Sequence, residues 1–115
     1  MKIAKVYINE TNAHTISCKD IPKGIRGGEV ELEYAKGVWD GLIRNVVFTN
    51  GREIVTVVNA GELVEIPAEV TDVQNALVRV GVCGVGTEGK IVIPTLWTDL
   101  RRVSDAVPVD RKSVV

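Results

Sequence analysis

Apolar and polar residues alternate with a period of two in run after run along this chain, and turn-forming residues separate the runs. In Glu29-Val30-Glu31-Leu32-Glu33-Tyr34 the alternation is strict. An extended backbone sends successive side chains to opposite faces, so Val30, Leu32 and Tyr34 belong to a core and the three glutamates to water. Residues 2–8 repeat the pattern, with Ala4, Val6 and Ile8 on one face. Residues 43–49 and 53–59 flank Asn50-Gly51-Arg52. Asn-Gly tolerates positive φ at both positions and is the strongest short signal for a hairpin. Gly86-Thr87-Glu88-Gly89 predicts a second hairpin between strands at 77–84 and 90–95. Pro94 cannot donate to a ladder and is expected at a strand edge or end.

Shorter elements fill the gaps. A strand is expected at 15–18 after a turn at 11–14, and another at 62–66 after Asn59-Ala60-Gly61. Residues 19–28 read as a loop and residues 67–76 as a loop with one helical turn. Residues 96–103 continue extended, anchored by Trp97. From Ser104 onward periodicity is lost around Pro108, which predicts one domain over 1–103 and a tail or linker over 104–115. The sum is an all-β fold, an antiparallel immunoglobulin-like β-sandwich of about eight short strands, with a small barrel as the alternative. Residues 77–84 are apolar on both faces except for Arg79, which suits a central strand or one at a subunit contact. Leu77, Arg79, Val80 and Val82 are therefore the candidate interface residues.

Composition narrows the function. The chain has 115 residues, 14 Lys and Arg against 15 Asp and Glu, and one His. A dedicated nucleic-acid binder needs surplus cations to displace counterions from phosphate, and a polybasic membrane-surface protein needs them too. No nucleic-acid or membrane partner is expected. The opening residues lack the apolar core and cleavage site of a secretory signal, and the chain reads as soluble and cytoplasmically made. Cys18 and Cys83 lie 65 residues apart, flanking Trp39 in immunoglobulin order, but Gly81 stands where such domains have Tyr. Two small apolar thiols in strands is the first reading and a Cys18–Cys83 bridge the second.

No constellation of catalytic residues emerges. His14 lacks an orienting carboxylate and a nucleophile at a recognisable spacing, and reads as an exposed turn residue. Glu29, Glu31 and Glu33 are ~7 Å apart along a strand face, too far to share an ion unaided, and fit the solvated face of an edge strand. Asp40 and Asp99 each adjoin a Trp, a pairing that sugar hydrolysis or a sugar platform would use. With aromatic residues at 4%, however, Trp39, Trp97, Phe48 and Tyr34 are all expected as core anchors. Gly81, Gly84, Gly86 and Gly89 lack the Lys-Ser/Thr ending and following helix of a phosphate cradle. They mark close backbone approach instead. Arg101-Arg102 and Arg111-Lys112 read as solvated or salt-bridged spots. No cofactor or metal is expected, and a small hydrolase ranks last.

Residues 24–100 carry a motif set in a particular order: Trp39-Asp40-Gly41-Leu42, Val47-Phe48, Asn59-Ala60-Gly61, Ile66-Pro67-Ala68-Glu69-Val70, Val80-Gly81-Val82-Cys83-Gly84, and finally the twelve residues from Gly89 to Leu100. In this the chain resembles the N-terminal β-sandwich domain of tail and baseplate proteins from phages and prophages of Gram-positive bacteria, the upper-baseplate-protein type. The resemblance implies a non-catalytic virion protein, assembled in the host cytoplasm, that acts through contacts with other tail and baseplate proteins and as a homo-oligomer such as a trimer. Arg101-Arg102 departs from it, standing where such proteins have Gly and a Pro/Asp-rich linker. A carbohydrate-binding module for host cell-surface polysaccharide is the alternative function.

Overall fold

A computed structural model describes residues 1–104, and the expected tail at 105–115 lies outside them. The described residues are all-β, with strand as the dominant element and no α-helix. Nine strands run in the order β1 (Lys2–Ile8), β2 (Ala13–Cys18), β3 (Ile21–Pro22), β4 (Glu29–Tyr34), β5 (Ile43–Thr49), β6 (Ile54–Val57), β7 (Leu63–Glu65), β8 (Leu77–Val85) and β9 (Ile91–Ser104). A single 3₁₀ turn, Ala68–Thr71, is the helical turn expected within 67–76.

The strands form two sheets, β2-β1-β4-β7 and β3-β9-β8-β5-β6. Both are mixed. The sequence predicts antiparallel neighbours throughout, but β1 runs parallel to β4 and β3 parallel to β9. Ion pairs cross the first of these. Lys2 Nζ donates to Glu31 at 2.7 Å, Lys5 Nζ lies 3.3 Å from Glu33, and the Met1 ammonium lies 3.2 Å from Glu29, so each glutamate of β4 meets a cation. β4 is therefore a central strand rather than an edge, and its glutamates neutralise a neighbour.

One core joins the sheets. Ile3, Ala4, Val6, Ile8, Val30, Leu32 and Val64 face it from one sheet, and Val46, Phe48, Val78, Val80, Val82 and Ile93 from the other. Val80 and Val82 are each 1% exposed. That corrects their assignment as interface residues: alternation along β8 turns them inward and leaves Arg79, Gly81 and Cys83 outward. Trp39 is fully buried, and its indole Nε1 donates to the Asn9 carbonyl at 2.9 Å.

The hairpin at Asn50-Gly51 forms with a loop one residue longer than the three, 50–52, expected between the strands. Thr49 pairs with Ile54, so four residues turn the chain. Only Gly51 takes positive φ, at 94°. The Asn50 carboxamide oxygen accepts from the Arg52 and Glu53 amides, each at 2.8 Å, and its Nδ2 donates to the Val70 carbonyl. Pro94 lies within β9 rather than at its end. The β8–β9 register slips by one residue between the pairs Gly84–Ile93 and Val82–Leu96, so Pro94 occupies a bulge that asks nothing of its missing N–H.

Candidate functional site

The two sheets present different outer faces. On the four-stranded sheet Lys2, Lys5 and the three glutamates face outward in ion pairs, beside Tyr7 and the exposed Leu63 of β7 and Ile16 of β2. On the five-stranded sheet, pairing register places side chains in cross-strand rows. One row runs Thr56–Val47–Gly81–Trp97 and the next Ile54–Thr49–Arg79–Asp99. A third, at the far end, runs Ile43–Val85–Ile91. Ile54 is 71% and Ile91 68% exposed, and Ile43 is exposed as well. The row between the third and the first is Asn45–Cys83, so the exposed apolar side chains stand in separate groups with polar residues between them.

Trp97 is at the middle of this face and is 38% exposed. The expectation that it anchors the core is corrected. Its cross-strand partner is Gly81, and a Cβ there would lie 2.8 Å from Trp97 Cδ2 and 2.6 Å from Thr95 Cγ2. The missing side chain of Gly81 makes the bed on which the indole lies, outside the core. Arg79 lies over the ring: its guanidinium carbon is 5.3 Å from the ring centroid, and its Nε donates to Asp99 Oδ1 at 2.7 Å. Arg79 and Asp99 are the charged members of these three rows, and they neutralise each other.

The other sequence candidates are dispersed. His14 is on β2, exposed, opposite Tyr7. Asp40 accepts from the Gly37 amide in the turn before β5, whereas Asp99 belongs to the outer face just described. Phe48 is fully buried; Tyr34 and Leu77 are half-buried. Arg101 donates to Asp20 at 2.9 Å and Arg102 to the Asn75 carbonyl at 2.9 Å, so both are engaged within the molecule. Arg111-Lys112 lies outside the described residues. Cys18 and Cys83 are free thiols on different sheets, and burial pushes the Cys18 thiol up. Among the described residues no cluster of three or more His, Cys, Asp or Glu is placed to hold a metal.

A polar cleft of about 340 Å³ opens where β4, the 36–40 turn and β5 meet. Arg44 stacks on the Tyr34 ring at 4.1 Å and donates to the Trp39 carbonyl at 3.1 Å. Glu31, Glu33 and Asp40 line the cleft, but Lys2, Lys5 and the Gly37 amide already occupy them. No nucleophile is held against a base there.

Sequence reasoning missed Ile43, Val47, Ile54, Val85 and Ile91. Part of the signal was present: Ile43, Val47 and Ile54 stand at outward positions of β5 and β6, alternating with Asn45, Thr49 and Thr56. No family model, curated protein or solved structure matches the chain.

Proposed function

We propose that this chain is a non-catalytic assembly module of a phage or prophage virion, associated with the tail or baseplate and acting through protein–protein contacts. The ordered motifs between Gly24 and Leu100 support the class. The observation that carries the mode of action is the outer face of the five-stranded sheet, which exposes Ile43, Ile54, Ile91 and Trp97 among polar neighbours. Exposed side chains of this size supply apolar area to a protein contact. Homo-oligomerisation and contact with other tail proteins belong to this reading. So does the architecture: two layers about a buried Trp39 support an immunoglobulin-like sandwich in which β1 runs beside β4.

The test is particle composition. After induction of a host carrying the gene, density-gradient-purified virions should contain the chain by mass spectrometry. Ile54→Lys should fold, because its side chain meets water, and should be lost from the particles. A chain found only in the particle-free fraction ends the proposal.

Trp97 supports a second reading, recognition of cell-surface polysaccharide. An exposed indole with a guanidinium over its ring and a carboxylate next to it can contact a sugar along the part of the ring left open, while the charged pair binds hydroxyls. Because Trp39 is buried and Trp97 is not, a ligand at this face should shift the emission of the accessible indole. Host cell-wall polysaccharide that leaves the emission and its acrylamide quenching unchanged removes this reading.

A further inference from the structure

We propose that Asn50-Gly51 is a self-modifying site: the pair closes on itself with loss of ammonia, and the folded hairpin holds that reaction back until residues 50–53 open. The reaction involves this loop alone and no partner of the chain.

The chemistry belongs to the dipeptide. Of six asparagines, Asn50 alone precedes a glycine. Glycine has no side chain to hinder its amide, and its backbone is the freest to turn. The Gly51 nitrogen can bond to the side-chain carbonyl carbon of Asn50 while the bond from that carbon to Nδ2 breaks. The Gly51 amide proton passes to water or hydroxide. Nδ2 takes a proton from water and departs as ammonia, and a five-membered succinimide remains. Water then opens that ring at either carbonyl, leaving aspartate or isoaspartate at position 50.

The fold sets a restraint against each part of this step. Attack needs the carboxamide to turn its face to the Gly51 nitrogen. Its Oδ1 instead accepts from the Arg52 and Glu53 amides at 2.8 Å each, and Nδ2 donates to the Val70 carbonyl at 3.3 Å. Three hydrogen bonds on one carboxamide fix its orientation. Attack also needs the Gly51 proton to leave, and that N–H donates to Thr49 Oγ1 at 3.0 Å. Ring opening needs water, and Asn50 is 8% exposed. Reaction therefore waits on release of the loop. Its rate is the unrestrained rate multiplied by the fraction of time the loop spends open. The product closes less well. An aspartate in place of Asn50 sets a carboxylate oxygen against the Val70 carbonyl, acceptor against acceptor, and isoaspartate adds an atom to the main chain inside the loop. Conversion runs one way, so the converted fraction records the total time the loop has been open.

Peptide mapping by mass spectrometry measures this. At mildly alkaline pH the purified chain should lose Asn50 at least about 10-fold more slowly in buffer than in denaturing urea. Below the unfolding transition the rate should rise with urea in parallel with hydrogen exchange at the Arg52 and Glu53 amides, which the same opening releases. Thr49→Val removes the acceptor for Gly51 and keeps a branched side chain. It should raise the folded rate roughly 3- to 10-fold and leave the rate in urea unchanged. Thr49→Ser keeps the hydroxyl and should stay near wild type; circular dichroism checks that both variants fold. Chains converted at position 50, separated by ion exchange on their added negative charge, should exchange the Arg52 and Glu53 amides faster. Equal rates in buffer and urea overturn the proposal. So does a faster rate in buffer, the result expected if the Arg52 and Glu53 amides served the developing oxyanion. A rate that ignores exchange at positions 52 and 53, or is unmoved by Thr49→Val, overturns it too.

Discussion

Gly81 decides where Trp97 can lie. Counting back from the hairpin pair Val85–Ile91 would set Thr95 opposite Gly81. Two one-residue slips in β9 advance the register, and Trp97 arrives there instead. A slip of two keeps the same face outward, so the alternation rule survives while the identity of the partner changes. This is why the outer location of Trp97 was not legible: composition can count two tryptophans, but bulge positions depend on packing across the strand pair. Gly81→Ala would drive a methyl group into Thr95 and the indole. We expect a loss of roughly 1–3 kcal/mol in urea unfolding, together with greater acrylamide quenching of Trp97. Tyr34 makes a second case. Its hydroxyl is buried without a partner among the described residues, and burial pushes its pKa up to about 12. A raised acid pKa in the folded state means stability is complete below the ordinary tyrosine value near 10 and falls as pH rises toward 12. Tyr34→Phe removes both the orphaned hydroxyl and its titration. Its denaturation midpoint should be unchanged or higher at pH 8 and should decline less than wild type's above pH 10.

At the level of elements, strand positions were legible wherever period two met a turn residue, as in β4, β5 and β8. Pairing direction was not. Nothing in the alternation of residues 2–8 says whether β1 runs with β4 or against it, and glutamates at every second position of β4 would meet lysines of β1 in either direction. Hydrogen bonding from Lys2, with its charge, holds the Glu31 carboxyl below the ordinary range. The stability that pair supplies is present at neutral pH and is lost as pH falls through the lowered value. Salt should weaken it, because the pair is exposed. Thermal melts at pH 3 and pH 7, each at low and high salt, should therefore show a salt effect at pH 7 that is smaller in Lys2→Ala, where the other exposed pairs remain. The β5–β6 loop offers a different lever. Asn50 closes it from within and ties it to Val70. Asn50→Ala leaves the Arg52 and Glu53 amides and the Val70 carbonyl short of a partner, and should cost roughly 1–3 kcal/mol. Asn50→Asp, which keeps the acceptor and loses the donor, should recover part of that in the same unfolding assay.

Across the whole molecule the core is continuous between the sheets, and Trp39 is its largest member. Trp39→Phe leaves a void and orphans the Asn9 carbonyl, for a loss of roughly 2–4 kcal/mol. The variant's remaining emission, from Trp97 alone, should be that of a solvent-contacting indole. The sequence reading reached this core through Phe48 and Trp39 but assigned Val80 and Val82 to the surface. The other reading that two-sided apolarity allowed, a central strand, is the one β8 takes, between β9 and β5 with its valines turned inward.

The two-residue strand β3 has a bearing on how the chain comes to be folded. Ile21 and Pro22 have one strand neighbour, Val103 and Ser104 of β9, about eighty positions later. Lys23 donates to the Ser104 carbonyl as well. Ile21 is fully buried all the same. During synthesis the first quarter of the chain thus has a place reserved for residues that do not yet exist. β1, β2 and β4 can collapse early, but the stretch between β2 and β4 stays without its backbone partner until position 104 has left the ribosome. Closing so long a loop is slow. The nascent protein is expected to remain open to proteases near residues 19–28 until translation has passed that point, and to lose that sensitivity in one late step.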